Sequence, residues 1–132
     1  MDHTADVGFV ITAESAAELF ARAAWGMFDL LTDLKTVRPV ERRPLRVTAD
    51  DTASLLLRWL SELNFVHVTE HKLFSCFDVG AVSSTALDAV IAGEAIDWTR
   101  HAVYTEIKAV TFHALAVEQV GSVWTARVLF DV

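Results

Sequence analysis

The sequence predicts an α+β fold: two helices packed on a mainly antiparallel or mixed β-sheet, in one domain over residues 1–132. Three observations predict it. Two stretches of the first half carry apolar residues at helical spacing, each opened by capping residues. From Leu73 on, the apolar period changes to two. The chain has 132 residues, 53% of them hydrophobic and 22% charged, which suits one domain with one core and excludes a disordered polymer.

Val7 to Thr12 is rich in β-branched and aromatic residues and reads as a short strand. Ser15 and Glu18 stand at capping-box spacing, so a helix is expected from Ala16 to Leu31. Its apolar face is Leu19, Phe20, Ala23, Ala24, Met27, Phe28 and Leu31. Pro39 and Pro44 bracket a segment that must be a loop or an edge strand, because proline donates no ladder hydrogen bond. Leu45 to Thr48 alternates as a strand, and Asp50, Asp51 and Thr52 offer caps for the next helix. Leu55, Leu56, Trp59, Leu60 and Leu63 form that helix's apolar face, with its end expected between Phe65 and Val68. Phe74–Val79 and Ala86–Ile91 are the next strands, with Ala92–Ala95 expected as a turn. Glu106–Val117 is expected as one long strand, and Gly121-Ser122 as the turn into a last strand, Val123–Phe130.

Eleven Lys and Arg against eighteen Asp and Glu give a net charge of -7. That balance disfavours direct binding of a nucleic-acid backbone and suits divalent cations or a basic protein partner. A single cysteine, Cys76, excludes an internal disulfide and a Cys-rich zinc module. Between Phe74 and Phe77 it reads as a small buried hydrophobe. Neither a secretory signal nor a membrane span is apparent, so the expected compartment is the reducing cytoplasm.

The two ends hold the residues with most chemical promise. Asp2, His3 and Asp6 lie close together, and Asp131 is next to last. If the first and last strands are neighbours, these carboxylates converge, with the Val132 carboxylate as a further oxygen, on a hard cation such as calcium or magnesium. Spacing alone leaves this open against simple solvation of acidic ends. Lys108 shares a face with Val110 and Phe112 on strict alternation, as a snorkelling lysine or one held for a purpose. His113 falls on the opposite face and reads as packed. Glu94, Asp97 and His101 could form an acid–base set, but no nucleophile elbow or Gly-rich phosphate loop accompanies them. They read better as a polar turn with a surface salt bridge. Trp59 and Trp124 read as core.

The same residues match a family. Asp2-His3-Thr4-Ala5-Asp6 opens the series, and Ala24 to Leu31 and Leu55 to Leu63 follow. Gly93-Glu94, Arg100-His101, Ile107 to His113 and the final Asp131-Val132 complete it. In this order, over essentially the whole chain, the sequence resembles an archease. The resemblance implies a protein cofactor and not an enzyme. Archeases assist the RtcB-type RNA ligase, which joins a 2′,3′-cyclic phosphate or 3′-phosphate end to a 5′-hydroxyl. That ligase uses GTP and manganese through a guanylylated histidine. Archease promotes guanylylation and multiple turnover, in tRNA splicing and RNA repair. The implied cation site is Asp6, Asp131 and Val132. Lys108 is the implied functional contact, with Asp2 and His3 in support. The implied partner is the ligase, with RNA reached only through it and no membrane involved. Calcium or a similar divalent cation is the one expected cofactor. Two other readings stay open: a metal-dependent phosphoester hydrolase using Asp6, Asp131 and His101, and a general protein chaperone.

Overall fold

A computed structural model describes residues 5–132. The first strand, β1 (Asp6–Ala13), leads into α1 (Ala16–Leu31). Ser15 caps the helix by accepting from the Glu18 N–H at 3.1 Å. Every apolar position expected on the inner face of α1 is buried. A short 3₁₀ turn, Leu34–Thr36, precedes β2 (Glu41–Thr48). Asp51 caps α2 (Thr52–Glu70), and His71 closes it in the left-handed region at φ 55°. Four strands follow: β3 (Lys72–Val82), β4 (Ala86–Ala95), β5 (Ala109–Val120) and β6 (Val123–Asp131).

The strands form two antiparallel sheets of three, in the orders β1-β6-β5 and β2-β4-β3. The fold is therefore α+β, with two small sheets in place of one. Pro44 sits in β2, an edge strand, where its missing N–H faces no neighbour. Cross-strand Arg46–Asp88 and the Arg43–Glu70 pair tie β2 to β4 and to α2. Lys72 and Glu41 pair as well.

The core lies between the helices and the sheets. α1 packs chiefly on β3, and α2 on β5. Phe20, Phe28, Trp59, Phe74 and Phe130 are its largest fully buried side chains. Burial of each such side chain stabilises the fold by about 1.5–3 kcal/mol. Trp59 also donates from Nε1 to the Phe20 carbonyl at 2.9 Å, so its one polar atom is satisfied inside.

Several expectations are corrected. Ala92–Ala95 is no turn but the end of β4, from which the chain leaves the sheet. Gly93 is required there because a Cβ would stand 1.9 Å from the Leu73 carbonyl oxygen. Cys76 is exposed. A bulge between Phe74 and Cys76 flips the alternation, so Phe74 points inward and Cys76 outward. Trp124 is half-buried and packs against the core from its edge. β5 begins at Ala109, three residues later than the expected Glu106, and a second bulge interrupts it. That bulge turns Phe112 and His113 out to solvent, so His113 is not packed and Lys108 shares no continuous face with Phe112.

Candidate functional site

The chain's ends meet in the β1-β6-β5 sheet. β6 is its centre, and Asp131 stands directly opposite Asp6 on one side and Ala109 on the other. Directly opposed residues of an antiparallel pair project to the same face, with Cβ atoms about 4.5–5.5 Å apart. Phe130, Val128 and Ala126 point into the core, so Asp131 and Asp6 share the outer face. Val132 continues the ladder, its N–H donating to the Ala5 carbonyl at 3.0 Å. Lys108 donates its N–H to the Asp131 carbonyl at 2.7 Å, and its side chain is exposed. Asp6, Asp131, Val132 and Lys108 thus come together at one end of one sheet. Asp2 and His3 lie outside the described residues.

Two carboxylates opposed in this way repel one another unless a cation lies between them. Asp6 is exposed, whereas Oδ1 of Asp131 is buried with no hydrogen-bond partner among the described residues. A buried carboxylate oxygen without a donor is costly. Both features fit a hard divalent cation, which takes carboxylate and main-chain oxygens. Among the described residues no three His, Cys, Asp or Glu side chains gather as a ligand set. A complete site here needs an oxygen other than those side chains, such as a main-chain carbonyl.

Lys108 reaches this place through an irregular segment, residues 96–108, that carries the chain from one sheet to the other. Polar contacts hold it along its length. Ile96 donates its N–H to the His71 carbonyl at 2.8 Å. Thr32 donates from Oγ1 to the Ala102 carbonyl at 2.6 Å and bridges Val103. Tyr104 donates its N–H to the Leu31 carbonyl at 2.7 Å. Asn64, on α2, donates from Nδ2 to the Ile107 carbonyl at 2.8 Å, and Ile107 is buried beside it.

The Glu94, Arg100 and His101 cluster is the strongest of these ties. Arg100 binds Glu94 through both ends of its fork, Nη2 to Oε1 at 2.5 Å and Nη1 to Oε2 at 2.9 Å. Oε2 also accepts the Arg38 N–H at 2.7 Å and lies 3.0 Å from His101 Nε2. The Asp97 N–H donates to His101 Nδ1 at 2.9 Å, which places the proton of the neutral ring on Nε2. The Arg100 guanidinium holds the Glu94 carboxyl at about 2, against 4.5 ordinarily; burial opposes it, and the Arg38 N–H and His101 assist. The expected polar turn is present over Trp98–Arg100, but its ion pair is largely buried and His101 is only 4% exposed, so the pair is a buried tie and not a surface salt bridge. The Asp97 carboxylate is occupied by Thr99, and both His101 nitrogens are engaged within the cluster. An acid–base set of Glu94, Asp97 and His101 therefore does not form. For the same reason His101 does not join Asp6 and Asp131 in a hydrolytic set.

Spacing missed two features of the site. Asn64 is one, and its signal was a polar residue inside the apolar stripe of α2, where it is 9% exposed. The other is that Glu94, Arg100 and His101 act as one tie. Neither depends on local period, so neither is visible to it.

The comparisons with known proteins agree with this architecture. The model of the Archease protein family matches residues 1–132. The protein archease of Methanopyrus kandleri is 37% identical over 134 residues, covering 99% of this chain and 96% of that protein. That of Methanothermobacter thermautotrophicus is 38% identical over 133 residues, covering 98% and 94%. The solution structure of Methanobacterium thermoautotrophicum protein 1598 superposes with a TM-score of 0.78 at 34% identity, covering 100% of this chain and 96% of that one. The crystal structure of an archease and possible chaperone from Thermotoga maritima, at 20% identity, matches in fold with a TM-score of 0.70. A full-length family match, close relatives over nearly their whole length and two strand ends meeting at Asp6 and Asp131 lead to one conclusion: this chain belongs to the Archease protein family.

Proposed function

We propose that this chain activates a GTP-dependent RtcB-type RNA ligase, promoting its guanylylation and multiple turnover in tRNA splicing and RNA repair. The chain acts as an accessory protein and performs no catalysis of its own. The observation that carries the reading is the pairing of Asp6 with Asp131 beside Lys108, in a member of the Archease family. Asp6, Asp131 and the Val132 carboxylate would hold a divalent cation, calcium or similar. Such a cation supplies a positive centre that can be presented or handed to the ligase. Lys108, exposed and fixed through its main-chain N–H to Asp131, engages the ligase, its nucleotide or its metal centre. Asp2 and His3 take a supporting role in the same motif. RNA is reached through the ligase alone, as the net charge of -7 suits. The working compartment on this reading is the cytoplasm. Among the described residues no helix is long and apolar enough to cross a membrane.

The test is a guanylylation assay with a cognate ligase, labelled GTP and manganese, and sub-stoichiometric amounts of this protein. Labelling should become faster or more complete. Asp6→Asn and Asp131→Asn should each abolish that gain while leaving the fold intact, as read by circular dichroism. Retained stimulation in both variants would sink the cation reading. That same outcome would favour general chaperone action.

A further inference from the structure

We infer that the solvent face of α2, together with the bulge of β5, is the docking face for the protein partner that engages Lys108. This rests on the activator reading and adds the surface to it. Phe65 and Phe112 are its apolar anchors.

The face begins at Lys108. A groove between α2 and residues 106–110 is lined by Lys108, Glu106, Phe65 and Val68, with Asn64 in its wall. It adjoins a second depression through Ser61 and Phe65, and that one adjoins a third through Thr48 and Arg58. Phe112 overhangs the third. The three run along one side of α2, whose outward residues Arg58, Glu62, Phe65 and Val68 recur at helical spacing.

Two features of this strip oppose the fold's own economy. Phe65 is 61% exposed and Phe112 71%, and Val68, one turn on from Phe65, is exposed beside them, whereas the leucines and Trp59 of α2 are buried. The β5 bulge sets Phe112 to Leu115 against the single residue Val128, and Ala114 within it adopts φ 59°. An alanine is rarely left-handed, and the turn it makes serves to project Phe112 outward. Exposed aromatics are the usual anchors of protein interfaces.

The chemistry of the strip selects the occupant. Arg58 and Lys108 alternate with Glu62 and Glu106 around the aromatic anchors. A polyanion would meet both carboxylates and a chain of net charge -7. A protein surface with an apolar centre and charges of both signs meets no such penalty. Because Lys108 and Phe65 line one groove, a body that rests on Lys108 covers Phe65 as well.

The experiment titrates the protein against a fixed amount of cognate ligase in the guanylylation assay. For the double variant Phe65→Ala and Phe112→Ala, the concentration for half-maximal stimulation should rise at least tenfold, with the same maximum at saturation. Arg58→Glu, between the anchors, should move it in the same direction. Both change exposed side chains, and a cooperative melt checks that each is folded. An unchanged half-maximal concentration, where wild type stimulates and Asp131→Asn does not, overturns the docking face and leaves the activator reading standing. Failure of wild type to stimulate an active ligase overturns both. A wild-type dimer in sedimentation that the double variant splits into monomers also overturns it, because the face then binds a second copy.

Discussion

At the scale of single residues, buried polar groups decide where the candidate functional ones stand. Glu94 shows this most clearly. It lies far in sequence from Arg38, yet receives that residue's N–H, the Arg100 fork and the His101 ring. Its carboxyl is held at about 2 in the fold, against 4.5 ordinarily, chiefly by Arg100. A folded value below the unfolded one means the stabilisation is present above about 4.5 and is lost as pH falls toward about 2. Urea midpoints measured across that window should therefore fall for the wild type. Glu94→Gln should be less stable at neutral pH and should fall less steeply. Equal slopes in both proteins would remove Glu94 from the acid response. Lys108 depends on the same principle, because its own side chain does not place it. Its backbone is held by Asp131 and by the Asn64 bond to its neighbour Ile107.

At the scale of elements, local period served the helices well and the strands less well. Ser15, with the seven apolar residues it precedes, located α1 at Ala16–Leu31 from sequence alone. A helix is built from contacts three and four residues apart, so its pattern is contained in the chain. Strand alternation persists only until a bulge resets it, and β3 and β5 each contain one. Hence Cys76 was expected inside and stands outside, and His113 likewise. The β5 bulge gives a measurable consequence. Ala114 at φ 59° bears a steric cost of about 1 kcal/mol that glycine does not. Ala114→Gly should therefore be neutral or stabilising by up to about 1 kcal/mol in chemical denaturation, although glycine substitution in a strand ordinarily destabilises. A loss of more than about 1 kcal/mol would show that this methyl packs in a way that outweighs the strain.

At the scale of the whole molecule, the topology brings the residues of the proposed cation site together from parts remote in sequence. β6 lies between β1 and β5, so the last strand brings Asp131 to Asp6 on one flank and to the entry of Lys108 on the other. A cation held only in the folded state must then stabilise the whole fold. At a hundredfold excess over its dissociation constant the gain is about 2.7 kcal/mol. Calcium titrated during thermal melts should raise the midpoint of the wild type and leave Asp131→Asn unmoved. An equal rise in both would locate the cation elsewhere.

Much of this was already in the sequence. The α+β class, the capped helices, the edge character of the Pro44 strand and the acidic ends all follow from local period, caps and composition. Residue type, strand neighbourhood and family resemblance point to Asp6, Asp131 and Lys108. Tertiary structure alone decided the rest. It split the strands into two sheets, reset the faces of β3 and β5, buried His101 in a polar tie and left Asp131 Oδ1 without a donor among the described residues. The physical reason is range. Helix periodicity and capping act within a few residues, whereas bulges, buried polar partners and the meeting of chain ends depend on which distant strands lie side by side.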